Sequence, residues 1–91
     1  MKTLSEGKLQ ELLKSKPDWS LVQGALVREW TFPDFVAAML FVNRVAAAAE
    51  AAGHHPDIDI RYNRVRLALV SHDAGGITER DAEMINRIDS V

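Results

Sequence analysis

Glu50-Ala51-Ala52-Gly53-His54-His55-Pro56-Asp57 joins a long apolar stretch to an alternating one, and the fold turns on how this junction is read. Glycine enters the left-handed region without a Cβ penalty, so Gly53 marks the end of a helix. Pro56 holds His55 away from helical geometry. Upstream, residues 33–52 read as one helix. Pro33 suits its first turn and Asp34 its positive end. Its main stripe is Phe35, Ala38, Met39, Val42, Val45, Ala46 and Ala49, and the opposite side is also apolar at Ala37, Phe41 and Ala48. A helix apolar on both sides needs two partners, its own sheet and a second subunit. The alternative is that the alanines serve helix propensity alone.

Downstream, Ile58, Ile60 and Tyr62 alternate with Asp57, Asp59 and Arg61, the pattern of a half-buried strand over 57–62. Asn63 is the expected turn. Residues 64–71 form the return strand, with Val65, Leu67 and Leu69 on one side and Arg64, Arg66 and Ala68 on the other. Asp73-Ala74-Gly75-Gly76 reads as a flexible loop. Thr78 caps a last helix, with Asp81 three residues on in capping-box spacing, and Ile77, Met84, Ile85 and Ile88 give that helix an apolar side.

Before the junction, Ser5 caps a short helix to Ser15 with Leu9, Leu12 and Leu13 in a stripe. Trp19 to Val22 and Ala25 to Phe32 form a hairpin around Gln23-Gly24. Leu26, Arg28, Trp30 and Phe32 share one face; Arg28 must reach the rim or meet an acidic group. The order is α-β-β-α-β-β-α. Segregated hairpins and helices give an α+β fold, a four-stranded antiparallel sheet with three helices packed on one face.

Ninety-one residues make one domain, 1–91, of modest stability. The composition, 47% hydrophobic and 26% charged, is that of a globular domain. A net charge of −2 with no basic stripe argues against a nucleic-acid partner. The chain has no cysteine, which removes disulfides and thiolate metal sites and fits a cytoplasmic location. The N-terminus lacks the apolar core of a signal peptide. Asn43, Arg44 and Glu50 make the apolar helix a poor membrane span, since a mid-bilayer Arg costs about 2.5 kcal/mol.

Three histidines, His54, His55 and His72, are the chain's means of proton chemistry near neutral pH. Adjacent residues in an extended segment point to opposite sides, so His54 and His55 have different jobs. Glu50, one turn before His54, can reach back towards its imidazole. The 57–71 hairpin carries His72 back towards the pair. Imidazoles around one pocket can protonate a leaving hydroxyl and take a proton from a neighbouring nitrogen, an acid–base dehydration that needs no metal. Adjacent histidines seldom converge on one tetrahedral ion, and Ala74-Gly75-Gly76 lacks the context of a phosphate loop. Neither a metal nor a bound cofactor is expected.

Glu50, His54-His55-Pro56, Tyr62, His72 and Asp81, in this order and spacing, resemble the signature of the pterin-4a-carbinolamine dehydratases. Trp19, Phe32-Pro33-Asp34-Phe35, Tyr62-Asn63-Arg64-Val65 and Thr78-Glu79-Arg80-Asp81 extend the resemblance over residues 5–89. It implies a homodimer or homotetramer and the dehydration of a 4a-hydroxytetrahydropterin, made by aromatic amino-acid hydroxylases, to the quinonoid dihydropterin. It also implies site residues. His54, His55 and His72 would be catalytic, with His54 and His72 the better general acids and His55 holding the substrate. Gly53, Val70, Ser71 and Asp73 would line the substrate with the histidines, and Glu50 and Asp81 would orient the site. Gly53 departs from the pattern, since many members carry Asp there. Two further readings share the fold: a dimerisation or coactivator-type binding module without catalysis, and an enzyme for another pterin, as in molybdenum-cofactor metabolism.

Overall fold

The computed structural model describes residues 2–91. Helix α1 (Glu6–Ser15) is followed by strands β1 (Ser20–Val22) and β2 (Ala25–Thr31), helix α2 (Phe35–Ala52), strands β3 (Asp57–Arg61) and β4 (Arg64–Leu69), and helix α3 (Glu79–Asp89). The four strands form one antiparallel sheet in the order β1-β2-β4-β3. Each hairpin places its second strand inside, and the two inner strands pair along six residues, from Leu26 opposite Leu69 to Thr31 opposite Arg64.

Local chemistry sets the element ends. Ser5 accepts the Lys8 N–H at the start of α1. Asp34 is the N-cap of α2, its carboxylate accepting the Ala37 N–H at 2.8 Å. Pro33 therefore precedes the helix and does not occupy its first turn as the sequence suggested; the cap position fell one residue later. The β1–β2 turn has positive φ at both Gln23 (50°) and Gly24 (82°), as a tight hairpin with right-handed strand twist requires. In the β3–β4 turn the positive φ falls on Tyr62 (52°), which leaves the strand and stands exposed.

The core lies between the sheet and the helices. Leu26, Val65, Leu67 and Leu69 from the strands meet Ala38, Val42, Val45 and Ala49 of α2 and Met84, Ile85 and Ile88 of α3. Burying each large apolar side chain stabilises the fold by about 2 kcal/mol. α1 buries no residue fully and contributes Leu9, Leu12 and Leu13 to the core margin. Arg28 reaches Asp89 at 3.1 Å and stacks 4.6 Å over Trp30, so both readings of that residue apply.

Two expectations about burial fail. Phe41 and Ala48 do not form a separate outer face; they pack at the core margin, with Phe41 against Trp30 and Phe32. The outward apolar residues of α2 are instead Phe35, Val36 and Leu40, with Ala46 exposed as well. All five residues of β3 are exposed. Ile58 and Ile60 sit opposite Leu67 and Val65, hence on the helix side of the sheet, but β3 is an edge and the helices cover the inner strands. α2 has the length and hydropathy of a membrane span, yet one side of it is packed on the sheet.

Gly53 ends α2 at φ 65°, ψ 26°, with its own N–H on Glu50 O and the next N–H, of His54, on Ala49 O. This pair of closing bonds needs a left-handed residue. An added Cβ meets nothing within 4 Å, so the cost of a side chain there is conformational only. Gly53→Ala should lower unfolding free energy by about 1 kcal/mol and Gly53→Asn by less, read from urea denaturation; equal stability of all three proteins would contradict the conformational account.

Candidate active site

The left-handed turn at Gly53 sends His54 across to α3 and His55 outwards. His54 Nε2 lies 2.6 Å from Asp81 Oδ1, with the ring largely buried and the carboxylate fully buried. His55 Nε2 lies 2.9 Å from Glu50 Oε2, and both of these side chains are mostly exposed. Glu50 thus serves His55, where the sequence pointed to His54; the chain reversal at Gly53 swaps the partners. The two rings face different carboxylates, as their adjacency in an extended segment required.

Asp81 is the centre of the site. Its Oδ2 accepts the Ser71 hydroxyl at 2.8 Å and the Thr78 N–H at 2.9 Å. Ser71 and Thr78 hydroxyls are themselves 2.8 Å apart, and all three side chains are buried. The capping box of α3 is therefore also the holder of His54. A carboxylate only accepts hydrogen bonds, so the ring nitrogen facing it carries a hydrogen. That leaves Nδ1 of His54 as the nitrogen free to exchange a proton.

Ser71 was expected to line the substrate. Its hydroxyl is committed to Asp81 and Thr78, so any contact with a ligand falls to its backbone. Val70 is half-buried and packs on the core margin. His72 opens a short 3-10 turn, His72–Ala74, in place of the flexible loop read from the glycines. Its ring is exposed and has no hydrogen-bond partner among the described residues. The β3–β4 register, Asp57 opposite Ala68, returns the chain after β4 to the side of residues 53–55. His72 is joined to His54 through the peptide link to Ser71 and the Ser71–Asp81–His54 hydrogen bonds.

Of the three histidines, His54 is largely buried beside a small cleft, while His55 and His72 are exposed. The cleft beside His54, formed by Ala52, Arg80, Glu83, Met84 and Arg87, has about 60 Å³, room for about two waters. His55 and His72 stand outside it on the surface.

Arg80, which sequence reading left unassigned, donates from Nη2 to Asp73 Oδ1 at 2.5 Å. That hydrogen bond holds the Asp73 carboxyl below the usual carboxylate range. A lowered pKa means the pair is formed above the unfolded value and is lost as pH falls through the folded one, so it outlasts an unpaired carboxylate in acid. The two residues are seven apart, but Gly75, Gly76 and the start of α3 lie between them, so no continuous helix or strand relates them and no local signal announced the pair.

These features define a class: an α+β domain, helices on one face of an antiparallel sheet, with a histidine held by a buried carboxylate at the sheet's end. A family model described as Pterin 4 alpha carbinolamine dehydratase matches residues 2–91, and the chain belongs to that family. Proteins provisionally named pterin-4-alpha-carbinolamine dehydratase share 56% identity in Chloroflexus aurantiacus and 57% in Acidobacterium capsulatum. Each alignment covers this whole chain and, respectively, 98% and 99% of the relative. A crystal structure of a transcriptional coactivator/pterin dehydratase from Brucella melitensis superposes with a TM-score of 0.92 at 33% identity, covering 98% of this chain and 97% of that one. A pterin dehydratase-like protein described as a RuBisCO assembly factor shares the fold alone, at TM-score 0.64 and 22% identity.

Removing the Asp81 carboxylate takes the acceptor from the Thr78 N–H and the His54 ring and leaves the Ser71 hydroxyl with Thr78 Oγ1 alone. Asp81→Ala should destabilise the protein by about 3 kcal/mol in denaturant titration, and a loss under about 1 kcal/mol would show that the network is not a structural centre.

Proposed function

We propose that this chain eliminates water from a 4a-hydroxytetrahydropterin to give the quinonoid dihydropterin. The carbon–oxygen bond at C4a breaks as the hydroxyl takes a proton and leaves as water. The hydrogen on the neighbouring N5 goes to a base, and its electron pair completes the new C=N bond. No metal or redox partner is needed to balance the step. His54 and His72 are the candidates for general acid, and His55, on its exposed carboxylate partner, holds the substrate at the rim. Asp81 orients His54 and stabilises its charged form while proton transfer occurs at Nδ1.

One observation supports this reading above the others: the His54 ring is 2.6 Å from a fully buried carboxylate that also anchors the residue before His72. Membership of the dehydratase family points the same way. The test is the rate of quinonoid dihydropterin formation with and without protein. General acid–base groups contribute on the order of a hundredfold, so His54→Ala and His72→Ala should each lose about that much and His55→Ala less. Equal rates with wild type and with the His54→Ala/His72→Ala double variant would remove the catalytic reading.

A second reading, a binding module, is favoured by two things. The Brucella melitensis protein's name joins a coactivator to a pterin dehydratase, and Phe35, Val36 and Leu40 leave an apolar strip on α2. The same strip and the uncovered β3 edge support self-association of this chain, as a homodimer or homotetramer, and the absence of cysteine is consistent with a cytoplasmic location. In sedimentation, wild type should exceed the mass of one chain, and Val36→Glu/Leu40→Glu should shift it to a smaller species. A monomeric wild type would end the self-association reading without touching the catalytic one.

A further inference from the structure

We propose that Arg80 is a positioning residue for His72 and acts through Asp73. The inference deepens the dehydratase reading, and its kinetic arm rests on that reading.

Arg80 and Asp81 are neighbours in the first turn of α3. Asp81 holds His54. Arg80 holds Asp73, the middle residue of the turn that begins with His72; with its carboxylate on Arg80, Asp73 is placed as a support of that turn and not against the substrate, where the family resemblance put it. One helical turn therefore carries the supports of two histidines that lie eighteen positions apart in the chain.

Backbone bonds close the turn on itself, with Ser71 N–H on Gly76 O at 3.0 Å and Gly75 N–H on His72 O at 3.2 Å, but neither ties it to α3. The N–H groups of Ala74, Gly75 and Gly76 all point at one acceptor, Ser71 O, at 3.0, 3.0 and 3.3 Å. A carbonyl has two lone pairs, so three donors cannot all be well matched. Gly75, at φ 78°, follows the turn directly and adds backbone freedom. His72 itself makes no side-chain hydrogen bond among the described residues. The Asp73–Arg80 link is thus the side-chain tie between this turn and the body of the protein.

Global stability does not account for the arrangement. The Arg80 and Asp73 side chains are 32% and 70% exposed, and exposed pairs contribute little. Arg80 Nε is also buried without an acceptor, which works against stability. What the pair does supply is a fixed path from α3 to the backbone beside His72. A forked guanidinium defines direction better than the point charge of Lys.

Asp73→Asn, Arg80→Gln, Arg80→Lys and the charge swap Asp73→Arg/Arg80→Asp should be compared with wild type in the dehydration assay, in amide hydrogen exchange and in thermal melts. Asp73→Asn and Arg80→Gln should lower kcat about tenfold with KM nearly unchanged, and speed exchange at residues 74–76 by about tenfold. Their melting temperatures should move by no more than about 2 °C. Arg80→Lys should fall between, and the charge swap should recover most of both losses. Wild-type exchange and wild-type kcat in the two single variants would overturn the proposal. Single-variant losses with no recovery in the swap would also overturn it, since one of the two side chains would then touch the substrate directly. If wild type itself fails to speed dehydration, the functional reading falls, and the exchange and swap results still decide whether Arg80 orders the His72 turn.

Discussion

A fully buried carboxylate is the constraint on which this structure depends. Asp81 has no contact with water, and a charge in that position costs several kcal/mol unless its oxygens are met by donors. Three donors meet it: the His54 ring, the Ser71 hydroxyl and the Thr78 N–H. They come from the segment after α2, the end of the β4 side and the start of α3. Satisfying one carboxylate therefore draws three chain segments to one point. The same oxygens that remove the desolvation cost also aim an imidazole, so stability and site geometry share a cause.

The other end of α3 is tied by the same means. Asp89 accepts from the Trp19 indole at 3.3 Å and from Arg28 at 3.1 Å. An acid at a helix C-terminus is unfavourable towards the helix dipole, and the Arg28 guanidinium offsets it. Asp81, near the N-terminus of the same helix, is favoured by the dipole. Between these two polar anchors, Met84, Ile85 and Ile88 pack into the core. α3 is thereby fixed in rotation as well as position, and the neighbours Arg80 and Asp81 are pointed at two different parts of the site.

The chain has one layer of helices for four strands, and they do not cover everything. Ile58 and Ile60 stay exposed on the helix side of an edge strand, and Val36 and Leu40 face away from the sheet. A small domain has too little material to enclose all its apolar surface. The placement of the histidines belongs to the same economy: they stand where α2 stops, β3 begins and β4 ends, at a margin of the sheet.

The element order, the helix caps at Ser5 and Thr78, the stop at Gly53 and the alternating faces of β2 and β4 were all legible in the sequence, because each rests on periods and caps within a few residues. The histidines stood out because they are few, and the signature residues marked the family. Which carboxylate each histidine meets was not legible. Glu50 is four residues before His54, yet it pairs with His55, while His54 finds a partner twenty-seven residues away. The β2–β4 pairing at the sheet's centre, the exposure of β3 and the Asp73–Arg80 tie were decided in the same way, by packing between segments distant along the chain. Sequence alone determined the local pieces and the kind of chemistry they carry. The tertiary structure decided the contacts, since those join segments far apart along the chain, and the left-handed turn at Gly53 decided which carboxylate each of His54 and His55 meets.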